Sequence, residues 1–116
     1  MGNPVVHFEI TGTDSGALQQ FYGDLFGWKI QAMEGMDYGI VEKEEGGIGG
    51  GIGAAQGGPG LVTFYIAVDD VQAYLDKAGS LGGTTVMPVT VIPDMVTFAL
   101  FADPEGHVVG VVKNQD

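Results

Sequence analysis

The chain has no cysteine and no arginine, and its four lysines stand against fifteen acidic residues, giving a formal net charge of −11. Without thiols there can be no disulfide, no thiolate metal ligand and no cysteine nucleophile. Without a cationic surface nothing displaces counterions from phosphate, so nucleic acid is excluded as a partner. Phosphorylated or strongly anionic substrates are disfavoured too, because the bidentate cation they prefer is missing. The acid excess would attract a cationic ligand, or it serves solubility alone. The first residues, Met-Gly-Asn-Pro-Val-Val, place no basic region ahead of an apolar run and no Ser or Thr at the sixth position. Neither a secretory leader nor a myristoylation signal is therefore expected. No apolar run is long enough to span a bilayer. The expectation is a cytoplasmic protein with no membrane partner.

What is present is a globular composition, 45 % hydrophobic in 116 residues, which suits a single compact domain with a real core. The stretch Val5-Val6-His7-Phe8-Glu9-Ile10-Thr11 alternates with the period of a strand. Val6, Phe8 and Ile10 point one way, and His7, Glu9 and Thr11 the other. Thr13, Asp14 and Ser15 offer N-caps for a following helix. In it, Leu18, Phe21, Tyr22 and Leu25 form an apolar stripe expected to pack on the sheet, with Gly27 at its end. Residues 28–33, 36–43 and 47–53 read as three more strands. Trp28 is expected to anchor the core. Glycine crowds the stretch from Gly46 to Gly60, but no G-x-G-x-x-G spacing occurs there and no Gly-Lys-Ser/Thr follows, so it is not a nucleotide loop. It reads as a thin strand that admits close approach, followed by a linker.

The second half repeats the first. His7-Phe8-Glu9-Ile10 corresponds to Thr63-Phe64-Tyr65-Ile66, and the helix stripe recurs as Val71, Tyr74, Leu75 and Ala78. Gly82-Gly83 ends this second helix. Residues 84–92, 95–102 and 107–112 then give three strands, the last two joined by the Asp103-Pro104-Glu105-Gly106 turn. Each half is βαβββ. The expected organisation is one domain over 1–116, with module one at about 4–54 and module two at about 61–113.

The segments VHFEI (6–10), FYGDLFGWKI (21–30), TFYIAVDD (63–70), LGG (81–83) and FADPEGHVVGV (101–111) resemble the vicinal oxygen chelate superfamily, the glyoxalase/bleomycin-resistance/dioxygenase group. The resemblance implies an α+β fold in which two tandem βαβββ modules form an open, U-shaped mixed β-barrel with its helices outside, usually in a homodimer. It implies activities from metal-dependent lyases, isomerases and dioxygenases to metal-free proteins that sequester antibiotics. In the enzymes four inward side chains hold a metal. The matching positions here are His7, a glycine near 49–51, Thr63 and Gly110, so His7 alone carries over as a metal ligand. No cofactor is expected, and a divalent metal would meet an incomplete set.

The residues expected to face a ligand are His7, Glu9, Thr63, Tyr65, Phe98 and Gly110. His7 and Glu9 are the candidates for acid–base catalysis. Leu100, Val108 and Val112 would join Phe98 as an apolar floor, and His107 is expected at the surface. No serine is placed for His7 to activate, so a Ser/His/Asp hydrolase is not arguable. Three function classes stay open. The leading one is a protein that binds a small neutral or cationic, partly apolar molecule without a complete metal site. The others are a lyase, isomerase or dioxygenase with a degenerate site, and a structural or regulatory module. The expected partners are that small molecule and a second copy of the chain.

Overall fold

In the computed structural model, residues 2–114 are described. In chain order the elements are β1 (Val5–Gly12), α1 (Ser15–Phe26), β2 (Ile30–Ala32), β3 (Tyr38–Val41), β4 (Gly49–Ala54), β5 (Val62–Val68), α2 (Val71–Ser80), β6 (Thr84–Ile92), β7 (Val96–Ala102) and β8 (Val108–Lys113). This is an α+β fold with the βαβββ order twice over. The chain divides into two compact units, one spanning His7–Thr63, the other joining the residues up to Val6 with those from Phe64 onward. None of the described helices is long and apolar enough to cross a membrane.

In the His7–Thr63 unit the strands lie in the order β2-β3-β4-β1, with β1 and β4 parallel and the rest antiparallel. The parallel register sets His7 opposite Gly49, Glu9 opposite Gly51 and Ile10 opposite Ile52. Asp14 caps α1 by accepting from the Ala17 amide at 3.0 Å, and Gly27 closes it in the left-handed region, where a side chain would be strained. Ile10, Val41 and Ile52 form the core, with Phe8, Leu18, Tyr22, Trp28 and Ile30 packed against them.

The helix stripe expected from the sequence is corrected here. Phe21 and Leu25 are 57 % and 58 % exposed, whereas Ser15 is buried and Leu18, Gln19 and Tyr22 are half-buried. The helix therefore presents 15, 18, 19 and 22, the same spacing begun three residues earlier. Polar side chains hold it there. The Gln19 amide donates to Ser15 Oγ at 2.9 Å and to the Ile52 carbonyl at 3.2 Å, so a backbone acceptor of the core strand is satisfied by the helix that covers it.

The other unit has the order β6-β7-β8-β5, with β5 and β8 parallel. Tyr65 stands opposite Gly110 and Ile66 opposite Val111. Asp70 caps α2 through the Ala73 amide at 3.1 Å. Val71 and Leu75 of α2 close on Val68, Ala99 and Val111 to make the core.

Candidate functional site

Four of the six residues of strand β4 are glycine, and the rings beside it explain three of them. On the helix face, a methyl group built on Gly50 would run into the Phe8 ring. On the other face, one built on Gly51 would overlap the Tyr38 hydroxyl, and one on Gly53 the same ring. The antiparallel register puts Tyr38 opposite Gly53, so the ring lies along the strand across two residues without side chains.

That placement carries the Tyr38 hydroxyl to the two polar residues of β1. It donates to Glu9 Oε2 at 2.9 Å and lies 3.0 Å from His7 Nε2. A phenol has one proton, and a carboxylate can only accept. With that proton committed to Glu9, the bond to the imidazole must be donated by His7 as its Nε2–H tautomer. The result is a directed chain, Nε2–H to Oη–H to carboxylate. Burial pushes the His7 pKa below its usual value, and the nearby Glu9 charge opposes this with a smaller effect. The neutral imidazole is thus the favoured form at neutral pH.

The second group repeats the geometry with different chemistry. Tyr65 is buried, and its ring occupies the space over Gly110. Phe98 meets it edge-on, with centroids 6.2 Å apart and planes at 71°. Gly51 and Gly110 are register partners of Glu9 and Tyr65, which are themselves equivalent in the repeat. By the same pairing, Tyr38 opposite Gly53 corresponds to Phe98 opposite Val112. One module is therefore polar, with His7, Glu9 and Tyr38, and the other aromatic, with Tyr65 and Phe98.

The residues singled out from the sequence thus fall into two sets. His7 and Glu9 are joined through Tyr38, and Tyr65 packs over Gly110 and meets Phe98 edge-on. Thr63 is buried at the end of the first unit. Sequence reasoning missed Tyr38 and Gly51. Only the strand registers reveal that the module-one counterpart of Phe98 is Tyr38. His107 is exposed, as expected, and its Nδ1 lies 3.0 Å from the Asp103 carboxylate. That carboxylate also accepts from the His107 and Glu105 amides, bonds that hold its pKa below the usual value. It closes the β7–β8 turn. Among the described residues, no three His, Cys, Asp or Glu side chains group as metal ligands would.

Residues 5–43 match the family described as bleomycin resistance protein-like, N-terminal. A Mycobacterium bovis protein bearing a glyoxylase name, CFP32, is 33 % identical over 89 % of this chain, which spans only 42 % of that relative. A glyoxylase-like domain-containing protein of Didymella fabae is 31 % identical, over 85 % of this chain and 84 % of its own length. Among solved structures, a glyoxalase/bleomycin resistance protein/dioxygenase superfamily member from Vibrio splendidus superposes with a TM-score of 0.64 at 15 % identity, covering 97 % of this chain and all of that one. Sequence likeness along most of a relative of similar length, on a shared fold, shows that the chain belongs to the glyoxalase/bleomycin resistance/dioxygenase superfamily.

Proposed function

We propose that this superfamily member binds a small, neutral or cationic, partly apolar molecule against the His7–Tyr38–Glu9 face, without a complete divalent-metal site. The observation that carries this reading is the Tyr38 hydroxyl seated over Gly51 between imidazole and carboxylate. A firmly held divalent ion takes about three or four protein donors. His7 and Glu9 are two, β4 opposite them supplies glycines, and a phenol fills the space over Gly51. The donor set does not fit a metal centre of the enzyme kind. It does fit recognition, because a carboxylate, a neutral imidazole and the phenol ring of Tyr38 lie side by side.

The test is calorimetry with N-methylquinolinium and its neutral isostere 1-methylnaphthalene. Charge-assisted contacts contribute about 1.5 to 3 kcal/mol, so Glu9→Gln should weaken the cation roughly ten- to a hundred-fold and spare the neutral compound. Raised salt should weaken the wild-type complex with the cation more than the mutant one. Equal losses for both compounds, or tight binding of anions alone, would sink the reading.

One observation favours a second reading. A directed Nε2–H to Oη–H to carboxylate chain, with the imidazole kept neutral by burial, is suited to taking and returning a proton. In that case Tyr38→Phe would abolish turnover of an activated substrate while leaving its binding nearly intact.

A further inference from the structure

The two units seal the space between helix and sheet differently. In the His7–Thr63 unit the floor is Ile10, Val41 and Ile52, and Ile52 is fully buried. Trp28 closes it, its ring centroid 5.2 Å from Phe8, 5.6 Å from Tyr22 and 5.3 Å from Phe26. The strand registers make Ile66, Phe101 and Val111 the corresponding floor in the other unit. There the strand registers make Gly83 the position matching Trp28, and on the repeat of the helix stripe those matching Leu25 and Phe26 are Ala78 and Gly79. The plug has no counterpart.

An open, predominantly apolar cleft of about 450 Å³ lies over that floor, bordered by Ala78 and the exposed Leu81. Ligand sites are apolar clefts of about this size with a few polar groups placed at them. Two polar groups of that kind line it here. Lys77 Nζ sits 5.9 Å from the centre of the Tyr74 ring, and the Tyr74 hydroxyl accepts from the Asn3 amide at 3.1 Å. Among the described residues no carboxylate comes within ion-pair distance of Lys77. Asp103, which also borders the cavity, is committed to the His107 ring and two amides of its own turn. In a chain of such acidity, an ammonium with no carboxylate partner beside an apolar cleft selects one kind of charge.

We infer that the cavity between α2 and its sheet, over Ile66, Phe101 and Val111 with Lys77 beside it, is a second small-molecule site for a compact apolar or aromatic body bearing one anionic group. One carboxylate or sulfonate is matched by one ammonium. A phosphate or dicarboxylate is not.

The probes are 8-anilinonaphthalene-1-sulfonate and its uncharged relative N-phenyl-1-naphthylamine, titrated by fluorescence against the full chain. The sulfonate should bind saturably at one site per chain. Ala78→Phe fills the cavity from the helix and should cut its affinity at least tenfold with the melting temperature held or raised. Ile66→Trp fills it from the sheet and should do the same, so the idea stays testable if one variant folds poorly. Lys77→Gln should weaken the sulfonate roughly three- to tenfold and leave the neutral dye within twofold. Tyr38→Phe and Glu9→Gln should leave the sulfonate's affinity unchanged, which separates this site from the one on β1. Unsaturable binding, unchanged affinity in a folded Ala78→Phe or Ile66→Trp protein, equal weakening of both dyes by Lys77→Gln, or loss of sulfonate binding on Tyr38→Phe would each overturn it.

Discussion

Gly51→Ala should be costly in this protein and harmless once Tyr38 is removed. An added methyl at 51 overlaps the Tyr38 hydroxyl and ring edge, so the ring must leave its bed on β4. Leaving breaks two hydrogen bonds, the 3.0 Å contact with His7 and the 2.9 Å bond to Glu9. The first is worth about 1 kcal/mol and the second, to a charged group, about 1.5 to 3 kcal/mol. Both partners are half-buried, which places the sum toward the low end, at about 2.5 kcal/mol. Replacing glycine also removes unfolded-state freedom and returns about 0.4 to 1 kcal/mol. The net expectation is a loss of about 2 kcal/mol in the wild-type background. In Tyr38→Ala the bonds are already gone, so the added methyl should be neutral or stabilising by up to about 1 kcal/mol. The coupling between the two positions is then roughly 2 to 3 kcal/mol, well above what independent sites show. Urea unfolding followed by Trp28 fluorescence measures it, because the single tryptophan belongs to the same unit. With a slope of about 1 to 3 kcal/mol/M, the wild-type shift is on the order of 1 M. An equal cost of Gly51→Ala in both backgrounds would refute the reasoning.

Two further outcomes follow from the same group. His7 has its pKa lowered from 6.5 by burial, so below pH 6.5 the unfolded chain takes up a proton that the folded chain resists. Stability should therefore fall as pH drops from about 6.5 through the folded pKa and then level off, and His7→Gln should flatten that slope in urea midpoints between pH 7.5 and 5; an unchanged slope would show that His7 is not its source. Purified protein should hold well under one equivalent of zinc, nickel, manganese or iron, and a chelator should leave its melting temperature nearly unmoved. A bound metal at a thousandfold its Kd would add about 4 kcal/mol, so a drop of several degrees, with one metal per chain lost on His7→Ala, would favour a metalloenzyme instead.

The sequence carried the order of elements because its signals there are local. The period-two alternation of Val6, Phe8 and Ile10, the Asp14 cap and the left-handed Gly27 each need only near neighbours. It misplaced the buried face of α1 because composition favoured Phe21 and Leu25, whereas the Gln19 bond to the Ile52 carbonyl, made with a strand 33 residues away, fixes the rotation. It identified His7 and Glu9 as sharing a face, since parity in one strand decides that. It could not find Tyr38, whose position depends on how β3 registers against β4, and alternation within one strand says nothing about its neighbour's register. The glycines hinted at close approach, but the object approaching was a side chain of the same unit.

The seating of Tyr38 on Gly51 also has a historical consequence. A lineage that gains a side chain at residue 51 while Tyr38 remains passes through an unstable intermediate. One that loses Tyr38 first gives up the contact that joins His7 to Glu9. Neither order is neutral, so the pair resists change one substitution at a time. Gly110 beneath the Tyr65 ring poses the same obstacle independently in the other half of the chain. Descendants of this sequence would then be expected to vary freely around the two glycine–tyrosine pairs long before either pair is exchanged.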